Sequence, residues 1–429
     1  MFDANQSNSL VKNTTHKVVL PFYFYAALSF LLATILLFFS TNAFTQHYFH
    51  PQVLAITHIM ALGWGTMIIL GASHQLVPVL IEGKLYSNGM AYASFVLAAV
   101  GIPLLVYGFY FFNLGWPAQW GGILINAAII SYVVNLAISM IKSKHENVHA
   151  VFVFTAALWL LLTTVIGLLL LYNFTATIFP KDSLHYLPLH AHFGIIGWLL
   201  LLVMGVGSRL IPMFLISKYS NTKLLWTIYG LINGGLILLL LLFVFSNDTA
   251  FYFIPAIAVF LAIALFGYYC YSSYGQRIRK KVDEQMKVSL LSVSMMLLPL
   301  IFLFIIIGWL MAGKSNPQLV LTYGFIVFYG WITAIIFGMT FKTLPFIVWN
   351  RAYHLKAGVG KTPNPNNLFS SRVFNAMAVA YLAGFVLFIA GVLLSSTLVL
   401  QIATLFLLLT AVLYNWNVIK LLFHKSTML

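Results

Sequence analysis

Twelve apolar stretches, near residues 17–41, 52–80, 89–113, 118–141, 149–172, 188–216, 223–245, 250–272, 287–312, 317–347, 371–395 and 398–422, take up most of the 429-residue sequence. Each is long enough for a helix to cross a hydrocarbon core of ~30 Å. With 62% of residues hydrophobic and only 7% charged, a soluble core is excluded. The sequence predicts an all-α, polytopic membrane protein of twelve transmembrane helices in a lipid bilayer.

The net charge of +15 reports topology rather than an anionic partner. Twenty of the 22 Lys and Arg residues fall at the termini or at helix ends joined by even-to-odd connections, and only Lys181 and Lys314 lie on the other side. This positive-inside bias places both termini in the cytoplasm of a bacterial-type inner (plasma) membrane. Nucleic acid is not needed to explain the charge. Residues 1–16 form a polar cytoplasmic tail, and the apolar run behind them is too long for the core of a cleaved signal. Cys270 is the only cysteine, which excludes disulfides, Cys-based zinc or iron–sulfur sites and c-type haem attachment. The longest polar connections, 273–286 and 348–370, are too short to fold alone, so 17–422 forms one membrane domain. "GVGKT" in the second of them lacks the full phosphate-loop pattern and its flanking strand, and reads as loop.

The chain repeats internally. Helix two contains Gly63-Trp64, then Gly71, then Pro78; helix six contains Gly197-Trp198, Gly205 and Pro212; helix ten contains Gly330-Trp331, Gly338 and Pro345. Offsets of 134 and 133 residues define three four-helix units, about 17–141, 149–272 and 287–422, with helices two, six and ten equivalent and parallel. The glycines allow close helix packing, and the late prolines predict an end or kink near the cytoplasmic face.

Histidines stand out against this apolar background. His58 and His192 occupy equivalent positions near the outer ends of helices two and six, and helix ten has Phe325 there. Helix six adds His190, with His185 just before it. An intramembrane ionisable residue is a functional hypothesis, and histidine is the commonest biological metal ligand. Each ring also has a structural reading, a neutral imidazole hydrogen-bonded to a carbonyl or a nearby threonine. At ~100° per residue His190 and His192 point about 200° apart and serve different compartments. His58 and His74 are ~24 Å apart along one helix and likewise serve different sites. His74 approaches the cytoplasmic interface, where hydrogen bonding accounts for it. His47 and His50, spaced i, i+3, could bind a metal in an outer loop.

Twelve helices in three pseudo-equivalent fours, with a histidine on helix two, resemble the catalytic subunit I of the haem–copper oxidase and nitric oxide reductase superfamily. The nitric oxide reductase-like branch has H-G-H on helix ten, then two residues, then F-Y-G, with a proline fifteen beyond the glycine. "YGFIVFYG" at 323–330 and Pro345 match that register, but Tyr323 and Phe325 stand where that family's haem-ligating histidines lie. Helix seven has no histidine for the usual copper site, and the spans contain no Asp or Glu for proton relay. The sequence is also similar in style to the NnrS-like haem- and copper-containing membrane proteins, through "HAHFGIIG" and "VGSRL".

These resemblances imply a b-type haem, with His58 and His192 as axial ligands between helices two and six. His190, with His185, would hold a second haem or copper, and Tyr323 is a further possible ligand. The implied role is electron transfer or nitric oxide handling, with an electron-donor protein or quinol and a partner membrane subunit, rather than proton-pumping oxygen reduction. Two other roles stay open: a non-enzymatic haem- or copper-binding stress-response protein, and a cofactor-free transporter.

Overall fold

The computed structural model describes residues 14–426 apart from 82, 144–146, 247, 279 and 355–361. Residues 1–13 of the tail, His145 and most of the "GVGKT" segment lie outside the described residues. Twelve of the described helices are long and apolar enough to cross a membrane. They are α1 (His16–Phe39), α2 (Pro51–Leu80), α3 (Asn88–Tyr110), α4 (Trp116–Ile141), α5 (Val148–Ala176), α6 (Ser183–Leu215), α7 (Thr222–Phe245), α8 (Thr249–Gly275), α9 (Glu284–Met311), α10 (Pro317–Tyr353), α11 (Ser371–Leu393) and α12 (Thr397–Leu422). The protein is a multi-pass membrane protein.

Local chemistry sets the helix ends. Asp182 caps α6 by accepting from the His185 amide at 2.9 Å. The helix therefore begins five residues before Pro188, and His185 sits in its first turn. Asn316 caps α10, accepting from Gln318 N and Leu319 N, with Pro317 at the first helical position, where its missing N–H costs nothing. Pro345 does not end α10, which runs on to Tyr353.

The three equivalent helices form the centre. Their most apolar windows are 83%, 78% and 78% buried for α2, α6 and α10, against 22–50% for the other nine. Close approach makes this possible: a side chain at Gly71, Gly205 or Gly338 would overlap Phe22 of α1, Phe152 of α5 or Ser289 of α9. Each central helix also widens into a π-helical segment at the same register. These segments run Ile59–Thr66, Phe193–Leu200 and Ile326–Ile332, starting directly after His58, His192 and Phe325. Such wide turns free backbone carbonyls and often accompany functional sites.

The π segments hold the tryptophans that join the centre. Trp198 Nε1 donates to Thr66 Oγ1 at 3.0 Å, and Trp64 Nε1 donates to Thr333 Oγ1 at 3.1 Å. At the third joint the acceptor position lies in the second repeat, two residues after Trp198, and is Leu200, which carries no hydroxyl. The pseudo-threefold ring thus has two hydrogen-bonded joints and one apolar joint.

Candidate functional site: a histidine pair between the first two repeats

Three sectors surround the central ring. α3–α5 wall the sector between α2 and α6, α7–α9 the sector between α6 and α10, and α11, α12 and α1 the sector between α10 and α2. The repeat register decides which side chains enter each sector. His58, His192 and Phe325 occupy one equivalent position; Ile56, His190 and Tyr323 occupy another, two residues earlier. Rotation about the pseudo-threefold axis sends the first position of one helix towards the second position of the next.

The ring contacts follow this rule. His58 of α2 faces His190 of α6, with ring centroids 6.3 Å apart and planes within 20°. His192 of α6 faces Tyr323 of α10, with centroids 6.0 Å apart and planes within 29°. The expected pairing of His58 with His192 is not the one formed, because equivalent residues of a cyclic repeat point into successive sectors rather than into the same one.

The third sector is closed to a cofactor. Phe325 stacks on Phe388 at 4.0 Å and on Tyr329 at 4.9 Å, and Phe385 lies at 5.8 Å. Aromatic side chains fill the space where the resembled family carries a haem-ligating histidine.

The first sector contains a cavity of about 260 Å³. His58, His190, Phe109, Asn126, Thr163 and Trp198 are in its wall, together with Tyr48 and Phe49 of the connection before α2. Both histidines are oriented through one nitrogen. His58 Nδ1 is 2.8 Å from the Leu54 carbonyl and His190 Nδ1 is 3.0 Å from the Thr163 carbonyl. A carbonyl only accepts, so each Nδ1 carries the proton and each Nε2 keeps its lone pair for a ligand. His192 Nδ1 is held the same way, 2.7 Å from the Pro188 carbonyl.

Two further residues shape the cavity. Asn126 Nδ2 donates to the carbonyls of Gly122 and Thr164, while its buried Oδ1 has no partner. Gly167 provides room for His190, because a Cβ there would lie 2.7 Å from Cε1 of the ring. The sequence reading missed both. An asparagine within an apolar span was the available signal for Asn126, whereas Gly167 matters only through a neighbour from another helix.

The other expected ligands lie elsewhere. His185 is exposed and packs against Phe243 of α7 at 4.9 Å, so it does not join His190 in a metal site. Five residues of helix separate the two, turning them ~140° apart. His47 Nδ1 accepts from the Phe49 amide at 3.1 Å, and His50 begins α2 as its capping residue. His74 is 1% exposed, between Phe22 and Tyr132, with centroids 5.4 and 5.5 Å away. Among the described residues neither of its nitrogens has a hydrogen-bond partner, contrary to the expected interfacial bonding. Among the described residues no group of three or more His, Cys, Asp or Glu side chains could hold a metal ion.

The ring separation suits a metal ion that two imidazoles would hold. At ~2.0–2.1 Å per metal–nitrogen bond and about 1.1 Å from nitrogen to ring centre, two such rings stand a little over 6 Å apart. His58 and His190 have that separation before any ligand is added.

Fold and site together define a class: a twelve-helix membrane protein of three repeats, with a buried histidine pair between the first two. Among solved structures the chain is similar to one described as a haem–copper terminal oxidase dimer, determined by cryo-electron microscopy. The match has a TM-score of 0.69 at 10% identity, over 97% of this chain and 86% of that one, and shows a shared fold. No protein-family model and no curated protein matches the sequence.

Proposed function

We propose that the protein is a haem-binding integral membrane protein that transfers electrons or handles nitric oxide, with His58 and His190 as the axial ligands. The observation that carries this reading is the pair of imidazoles, each fixed through Nδ1, facing one another in a largely apolar cavity. A bound haem would supply one-electron chemistry. The chain's own contribution is to hold both rings in the neutral tautomer, to exclude water with Phe109 and Phe49, and to offer the Asn126 carbonyl oxygen as the one free polar handle. A haem held by both rings would serve electron transfer rather than oxygen reduction. An electron-donor protein or quinol and a partner membrane subunit belong to the same reading, in an inner membrane with both chain ends cytoplasmic.

The cavity volume favours a second reading. At about 260 Å³ it lies just below the ~300–1,000 Å³ of ordinary cofactor pockets. Imidazole ligands also suit copper, and a single copper ion would fit between the rings without displacing Phe109.

Purified full-length protein from haem-replete cells decides between these. A reduced-minus-oxidised absorption spectrum of a low-spin haem, lost in both His58→Ala and His190→Ala, supports the first reading. Copper without haem supports the second. A colourless, metal-free preparation overturns both.

A further inference from the structure

A second cavity, of about 100 Å³, lies on the pseudo-threefold axis beyond the tryptophan layer, on the side away from the histidine pairs. Ile68, Leu202, Val206, Ile335, Ile336 and Met339 are among the apolar residues of its wall. Four hydroxyl groups also border it, and each is already engaged. Ser73 donates to the Leu70 carbonyl at 2.9 Å, and Thr343 to the Met339 carbonyl at 2.9 Å. Tyr23 donates to Thr343 at 3.0 Å, and Thr340 accepts from Tyr414 at 3.2 Å.

This combination selects the occupant. A buried water needs two to four polar partners, and an apolar cavity lacking them stays dry; an engineered apolar cavity of ~150 Å³ in another protein takes up benzene or xenon. Three of these hydroxyls donate to carbonyls or to one another and Thr340 accepts from Tyr414, so the lining offers a ligand at most one O–H donor, and a polar ligand would lose most of its hydration without compensation. A chain-like ligand exceeds the volume.

We propose that this axial cavity is a binding site for a small, uncharged apolar molecule of gas size. Such molecules partition into bilayers and reach the axis without a polar path. Leu199 lines both this cavity and the one holding His58 and His190, so the two share a wall residue. The site stands independently of whether haem binds next to it.

The test uses crystals of the full-length protein pressurised with xenon, whose anomalous scattering locates it without reference to haem. The expected result is a xenon peak between Ile68, Leu202 and Ile335, lost in Ala72→Leu, which projects extra volume into the cavity. Val206→Phe fills the opposite side and gives the same loss if Ala72→Leu fails to fold. Absence of xenon from the wild-type cavity overturns the proposal. So does ordered water or a detergent tail there, or a peak that survives in a folded, cavity-filled variant.

Discussion

The indole of Trp64 donates a hydrogen bond to the hydroxyl of Thr333, 3.1 Å away and 269 residues further along the chain. It ties the first repeat to the third at the level of the π-helical segments, as Trp198 and Thr66 tie the second to the first. Interhelical hydrogen bonds in membranes contribute ~0.6 kcal/mol on average and up to ~1.7. Thr333→Val should therefore lower the midpoint of thermal unfolding in detergent by a few degrees without changing haem or copper content. Trp64→Phe combined with Thr333→Val should cost less than the sum of the two single changes. Full additivity would show that the bond contributes nothing.

The sector rule separates His190 from His192. His190→Ala should reduce metal or haem retention by roughly 10-fold or more, whereas His192→Ala should leave it near wild type, since His192 faces Tyr323. Metal and haem content per chain checks both. Loss in His192→Ala alone would restore the His58–His192 pairing and remove the one argued from the ring contacts.

Gly167→Ala acts on the same site through packing. The new Cβ would come within 2.7 Å of His190 Cε1 and the ring would have to move. The expected outcome is an altered low-spin spectrum and weaker retention in a protein that still folds. An unchanged spectrum would mean that the ring position is not constrained by α5.

Phe325→His restores a histidine at the position where the resembled family has one, but it should not create a further haem site. Phe388, Tyr329 and Phe385 occupy the sector. The haem-to-protein ratio should stay constant, and a rise would show that this aromatic packing yields to a cofactor.

His74→Phe should be neutral or stabilising. Leaving a polar group buried without a partner costs ~1–3 kcal/mol, and an apolar ring of similar shape removes that cost while keeping the contacts with Phe22 and Tyr132. A marked fall in the unfolding midpoint would show instead that the ring has a polar role.

The twelve spans and the threefold repeat were legible because both are one-dimensional. Length and hydropathy decide whether a segment can cross a bilayer, and the Gly-Trp, Gly and Pro offsets of 134 and 133 residues need only counting. The helix directions of His190 and His192 were equally local, and their rings do serve different sectors. Which partner each ring meets was not legible. His58 and His192 share a register position, and treating equivalence as proximity paired them.

The chain by itself thus determined an all-helical membrane protein of three four-helix repeats, with histidines near one end of two central helices. Its covalent order carries hydropathy and period, which are enough for that. Only the tertiary structure decided that His58 meets His190, that His192 meets Tyr323 and that aromatic rings close the third sector. The physical reason is cyclic packing: three equivalent helices around an axis must turn equivalent side chains into different sectors, and only the arrangement of all three says which residues come face to face.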